Sequence, residues 1–305
     1  MQELSPAGVL AMCALTLQNT ALTISMKLSF RAEAQPYSAP LVILCVECMK
    51  LFSCFLIIKL SGGLNALKKE VCRTRHSPEL AIPSLLYIVQ NNLLLTAARH
   101  LSQTVFIVAS QGKIISSAVF SVLLLRKRFS RYQLLALGML AAGIVLVQLQ
   151  TSEESNSTHE TMYVGVCAML TANLTSGYAG VFLERLFKRN GEQSIWVRNV
   201  QLCIFSIPIS VVSVLFHRRA PNALANPLFA GFDSIVLLVI LLNAVGGLIS
   251  AFVMRYASAV LKCFAVAFSI CLCTFAETFY GHIPSARMVA GITLVSASIF
   301  AYTRC

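Results

Sequence analysis

Lys113 stands in the run Gln111-Gly112-Lys113-Ile114, in the middle of an apolar stretch from Ser102 to Leu125, with no acidic residue within four positions. A charge at the bilayer centre costs roughly 2.5 to 3.5 kcal/mol on the insertion scale, so such a residue faces a cavity or a partner. Its depth works against snorkelling, and its chemistry is that of a fixed cation for an anionic ligand. Lys50 is a second cation in an apolar run, but Glu47 lies three residues earlier on the same helix face. A self-satisfied ion pair and a ligand contact are equally good readings of it. Arg198 and Lys262 lie near the ends of apolar runs, where a snorkelling anchor is the stronger expectation, and Arg255 is intermediate. Three acids lie in the same setting, Glu47, Glu184 and Glu277. The surplus predicts a centre of positive potential and an anionic cargo.

Tyr87-Ile88-Val89-Gln90-Asn91-Asn92 places three consecutive amides in another apolar run. Amides in lipid are costly unless hydrogen-bonded. Successive helical residues are about 100° apart, so the three cannot all face one cavity. Tyr87 and Asn91 are four apart and share a face. A ring one turn from an amide suits a nucleobase, by stacking on its plane and bonding its edge; interhelical polar packing is expected for at least one of the three. Ser176-Gly177, Gly180 and Gly246-Gly247 are small residues that let helices approach closely. Packing is the stronger reading for the glycines, while Ser176 suits either role.

These residues are carried by a chain that a bilayer suits better than water. Of its 305 residues 57% are hydrophobic and 12% charged, with a mean hydropathy of +0.76, against roughly 25% charged in soluble domains. A span needs about 20 apolar residues. That ruler predicts ten, near Ala7–Met26, Ser38–Leu60, Ile82–Ala98, Ser102–Leu125, Tyr132–Leu149, Met162–Leu183, Ile195–Phe216, Phe229–Met254, Val260–Phe279 and Met288–Tyr302. The first run is long enough to span and has no basic leader, so no cleaved signal peptide is expected.

With both termini cytosolic, the cytosolic side holds 13 basic residues and the other side 6, which satisfies the positive-inside rule. The sequon Asn156-Ser157-Thr158, beside Glu153, Glu154 and Glu160, then falls on a luminal face. Asn173-Leu174-Thr175 is formally a sequon too, but inside a span. The stretch from Gln150 to Thr161 divides one transmembrane domain, residues 1–305, into a first half of about 1–150 and a second of about 161–305. The tails read alike, Phe129-Ser130 before Arg131 and Ile283-Pro284 before Arg287. Five helices per half would insert the second copy upside down, and inverted repeats hold their substrate near the midplane.

The eleven cysteines lie mostly in apolar runs and are expected to be thiols. No Cys/His spacing suits a metal, and no nucleophile, base and orienting group converge, so neither metal, cofactor nor enzymatic activity is expected. The basic excess is explained by membrane topology and not by nucleic acid.

Several of these residues fall into ordered motifs: Glu47-x-x-Lys50, Pro83-x-x-x-Tyr87-x-x-Gln90-Asn91-Asn92-Leu93, Gln111-Gly112-Lys113-Ile114, Ser176-Gly177-x-x-Gly180-Val181-x-x-Glu184, Trp196-x-Arg198-Asn199-x-Gln201-Leu202 and Gly246-Gly247-Leu248. In this the chain resembles the nucleotide-sugar transporter family, in the branch carrying UDP-galactose, UDP-N-acetylglucosamine and CMP-sialic acid. The resemblance runs over nearly the whole chain. It implies a ten-helix drug/metabolite transporter fold, a Golgi or endoplasmic reticulum membrane, and antiport of a cytosolic nucleotide sugar against luminal UMP or CMP. It also implies that Tyr87, Asn91, Lys113, Ser176 and Asn199 line the nucleotide pocket, with Lys50 and Arg255 near the phosphates and sugar. Self-association into a homo-oligomer is compatible with it.

The chain departs from the family where Lys-Tyr-x-Asp-Asn-x-x-Lys reads Arg255-Tyr256-Ala257-Ser258-Ala259-Val260-Leu261-Lys262, and where Phe106 and Cys203 replace frequent tyrosines. The changes touch the side that would face the sugar or base. A sugar-phosphate or other organic-anion exchanger of the same fold, or a transport-inactive membrane scaffold, are the competing expectations.

Overall fold

Local signals in the sequence place most of the helix ends. The computed structural model describes residues 5–29, 37–62, 79, 81–148, 159–189, 194–218, 229–278 and 286–304. Among them the elements are α1 (Pro6–Ser29), α2 (Ala39–Leu60), α3 (Ala81–His100), α4 (Gln103–Ser110), α5 (Gly112–Leu125), α6 (Arg131–Gln148), α7 (His159–Arg189), α8 (Ile195–Arg218), α9 (Ser234–Tyr256), α10 (Ala259–Thr278) and α11 (Ala286–Arg304). Ten stretches of these helices are long and apolar enough to cross a membrane. The protein is an all-α membrane protein, as its hydropathy predicts. The sequon at Asn156 with Glu153 and Glu154, the basic residues Arg31, Lys68, Lys69, Arg73, Arg75 and Arg219, the Ile283-Pro284 pair and the span ends Leu149 and Phe279 lie outside the described residues.

A capping box opens α6: the Ser130 hydroxyl accepts from the Gln133 N–H at 3.2 Å while Gln133 Oε1 accepts from the Ser130 N–H at 3.1 Å. Phe229 belongs to a turn and not to a helix. Gly231 at φ 74° and the Asp233 carboxylate, which accepts the Val236 N–H at 2.8 Å, start α9 at Ser234. The stretch from Ser102 to Leu125 is not one helix. It breaks at Gln111, and the side chain of Asn173 on α7 donates to the Ala109 carbonyl at 2.8 Å beside that break. α7 continues past its apolar run by a turn and more, which carries Glu184 and Lys188 beyond Leu183.

The chain forms two compact units, each built from both halves of the sequence. One comprises residues 1–16, 86–188 and 253–305; the other comprises residues 17–85 and 189–252. In the first, α6 and α11 cross with no room for side chains. A Cβ on Gly143 would lie 2.8 Å from Val295 Cγ2, and one on Gly291 would lie 2.7 Å from Val147 Cγ2. This reciprocal small-residue crossing drives association in lipid, where apolar burial supplies no net force. A second cluster there packs Ala97 and Leu101 of the α3 end against Ala168 and Met169 of α7. In the other unit, Cys54 and Ile58 of α2 pack on Val197 and Val200 of α8, and Val42 on Val236 and Ile240 of α9.

Candidate functional site

In the first unit, Lys113 is the second residue of α5, directly after the helix break, and is half-buried. The break is a tight turn of the backbone, in which the Gln111 N–H donates to the Val108 carbonyl at 3.2 Å and the Ile114 N–H to the Gln111 carbonyl at 2.9 Å, and a neighbouring helix packs on it. A Cβ on Gly112 would sit 2.6 Å from Asn173 Nδ2, so glycine is what admits the amide that bonds Ala109. One turn on, a Cβ on Gly177 would lie 2.5 Å from the Ser116 Cβ. The packing role expected of that glycine is therefore real, and it draws α7 onto α5. Ser176 beside it keeps partial exposure.

The ammonium of Lys113 has no carboxylate within ion-pair distance among the described residues; those ion pairs join Lys50 to Glu47, and Lys127 and Lys188 to Glu184. Lys113 from α5 and Lys262 from α10 both act electrostatically on the Cys263 sulfur, with Ser117 beside it. Lys262 directly precedes Cys263 in the first turn of α10.

Tyr87 is exposed on α3, and Asn91 lies one turn further along the same helix; the side chains of Asn91 and Glu277 are outside the described set. The neighbouring Gln90 has its Oε1 buried without a hydrogen-bond partner. Phe106 packs with the α3–α7 cluster. Arg255 lies in the last turn of α9 with its guanidinium 5.7 Å from the Tyr256 ring centre, within cation–π range.

The other unit holds Lys50 and Asn199. Lys50 Nζ donates to Glu47 Oε1 at 2.6 Å, so of its two expected roles the ion pair is made. The same carboxylate's Oε2 accepts from the Ser206 hydroxyl at 2.5 Å and from the Cys203 thiol at 3.8 Å. Gly247 makes room for the lysine stem, since a Cβ there would lie 2.8 Å from Lys50 Cδ. Asn199 is buried and donates to the Ile195 carbonyl of its own helix at 3.0 Å. Arg198 corrects an expectation. It is not a snorkelling anchor but is 8% exposed, and its Nη1 donates to Gln201 Oε1 at 3.3 Å. Hydropathy near a helix end carries no sign of which way the side chain turns.

The altered Ser258-Ala259 pair sits where α9 hands over to α10. The Ser258 hydroxyl caps the new helix by accepting the Leu261 N–H at 3.1 Å, the task an aspartate performs at an N-cap. The Ala259 N–H donates to Glu184 Oε2 at 2.9 Å, a bond that any residue except proline would supply. Replacement of the family pair therefore keeps the backbone geometry of the junction.

Comparison with known proteins fits these features. The chain is 36% identical to the UDP-galactose/UDP-N-acetylglucosamine transporter of Caenorhabditis elegans over 95% of its own length and 80% of that protein's. It is 35% identical to the UDP-N-acetylglucosamine transporter of Mus musculus, over 94% and 92% of the two chains. Identity to the UDP-galactose transporter of Schizosaccharomyces pombe is 34%, over 98% and 88%. A crystal structure only 16% identical superposes with a TM-score of 0.70 over 97% of both chains, which speaks for the fold alone. The family described as nucleotide-sugar transporter matches residues 6–303, and the chain belongs to that family.

Proposed function

We propose that the protein exchanges a pyrimidine nucleotide sugar for a nucleoside monophosphate, UMP or CMP, by alternating access, carrying the sugar from the cytosol into the Golgi lumen or that of the endoplasmic reticulum. A UDP-sugar, with UDP-galactose first, is the preferred cargo, and CMP-sialic acid is next. The observation that carries this reading is Lys113: a half-buried lysine in a membrane helix, without a carboxylate partner among the described residues. Such a charge is costly in lipid, and a phosphate-bearing ligand compensates it. An empty carrier that keeps this charge reorients unwillingly, which favours exchange over one-way transport.

Tyr87 and Asn91 would hold the base, with Ser176 and Asn199 lining the nucleotide. Arg255 would approach the phosphates and sugar, as would Lys50 once its charge is shared between Glu47 and the ligand. The UDP-sugar specificities of the named relatives support the uracil preference. The intact cap at Ser258 counts against an inactive scaffold. We further read the two halves, about 1–150 and 161–305, as inverted repeats with both termini cytosolic; the reciprocal crossing of α6 and α11, the last helix of each half, is in keeping with this.

Purified protein in liposomes preloaded with UMP should take up UDP-galactose, and Lys113→Ala should abolish uptake. Normal uptake by that variant, or uptake indifferent to internal nucleotide, would refute the assignment. UMP or CMP should also raise the melting temperature, whereas a triose phosphate should not; the reverse result would identify a sugar-phosphate exchanger.

A further inference from the structure

Glu184 is 0% exposed, yet it carries a charge in a chain with few acids. Its Oε1 accepts from Lys127 Nζ at 2.6 Å and from Lys188 Nζ at 2.7 Å, and its Oε2 accepts from the Ala259 N–H at 2.9 Å. Lys188 Nζ in turn donates to the Ala257 carbonyl at 2.6 Å. The three partners of Glu184 come from three places in the first unit: the α5–α6 corner, α7, and the α9–α10 junction.

The arrangement matches the electrostatics of that junction. α9 ends with unsatisfied carbonyls and a partial negative charge, and α10 begins with unsatisfied N–H groups and a partial positive charge. α7 sets an ammonium on the first and a carboxylate on the second. The corner is shaped to contribute as well. Arg126 adopts φ 53°, a left-handed conformation rare for a branched-free but bulky residue, and the Lys127 N–H then reaches back to the Ser121 carbonyl at 3.2 Å. This turn brings Lys127 to Glu184.

We propose that Glu184 is a positioning residue for the anion site. By bonding the first N–H of α10 it fixes where that helix starts, and hence where Lys262 and Cys263, one turn along, stand relative to Lys113 on α5. Gly177, on the same helix as Glu184, keeps α7 close to Ser116 of α5, so α7 references both the lysine of α5 and the start of α10. The proposal rests on the anion-carrier reading above.

Two variants test it in the full-length protein: Glu184→Gln and Lys188→Gln. Glu184→Gln should raise the KM for UDP-galactose about tenfold per correctly folded molecule, and should abolish the rise in melting temperature given by UMP. It should also change the rate at which Cys263 is alkylated, resolved by mass spectrometry, in the absence of any nucleotide. Lys188→Gln should do the same more weakly, which serves if the first variant fails to fold. Lower yield and melting temperature with unchanged KM and unchanged Cys263 alkylation would overturn the positioning role. Wild-type protein that neither transports UDP-galactose nor responds to UMP, while Cys263 alkylation still depends on Glu184, would instead sink the carrier reading and leave the junction standing.

Discussion

Ser176 and Gly177 are neighbours in sequence with separable duties. Gly177 stands against Ser116, so Gly177→Val should force α5 and α7 apart at a cost of about 1–3 kcal/mol, read as a lower melting temperature. Ser176→Ala should instead raise KM with stability preserved; equal effects from both would erase the distinction. The two lysines on Glu184 also differ. Burial pushes the Lys127 ammonium below the ordinary lysine range, outweighing the upward pull of Glu184. That desolvation cost is present at neutral pH and fades as pH rises through the depressed pKa, because the unfolded chain then holds more protons than the folded one. Lys127→Gln should therefore cost less stability than Lys188→Gln, and wild type should gain on Lys127→Gln as pH is raised from neutral toward about 10, as thermal unfolding would reveal. Removing the carboxylate itself leaves two ammoniums uncompensated, and Glu184→Ala should cost roughly 3–5 kcal/mol.

At the level of elements, the break between α4 and α5 is the feature that hydropathy hides. An apolar run of this length looks like one helix whether or not it is interrupted, because apolar content says nothing about backbone bonds. Asn173 holds the interruption from a different helix, 64 positions away. Asn173→Leu should leave the Ala109 carbonyl without that donor and lower stability by about 1–3 kcal/mol, measured as the urea or thermal midpoint of purified protein. An unchanged midpoint would mean that the break is set by Gln111 and Gly112 alone. The same contact places Asn173 within the transmembrane bundle, where a glycan could not be added. By contrast, the starts of α6, α9 and α10 were written locally, in Ser130 with Gln133, in Gly231 with Asp233, and in Ser258, because capping joins residues two or three apart.

For the whole molecule, the charge bias predicts an orientation that biochemistry can read. With both termini cytosolic, Asn156 is luminal, and protein made in cells should lose mass on treatment with a glycosidase while Asn156→Gln should not. Labelling a cysteine introduced beside Arg128 should proceed from the cytosolic side only. The reverse pattern would invert the topology and with it the direction of transport.

Composition, hydropathy and ordered motifs were enough to make this chain a ten-span membrane protein of the nucleotide-sugar transporter family, because a bilayer punishes every exposed polar group and so forces the spans to declare themselves. Lys113 was legible for the same reason: a lone charge in an apolar run is conspicuous. Which charges meet was legible only in part. The Glu47–Lys50 pair could be read from its spacing on one helix, but that Glu184 takes Lys127 together with the start of α10, that Ser206 joins Glu47, and that Arg198 turns inward are matters of which helix faces which. Periodicity fixes the faces of one helix, but the pairing of faces is chosen by packing between residues far apart in the chain, and only the folded unit makes that choice.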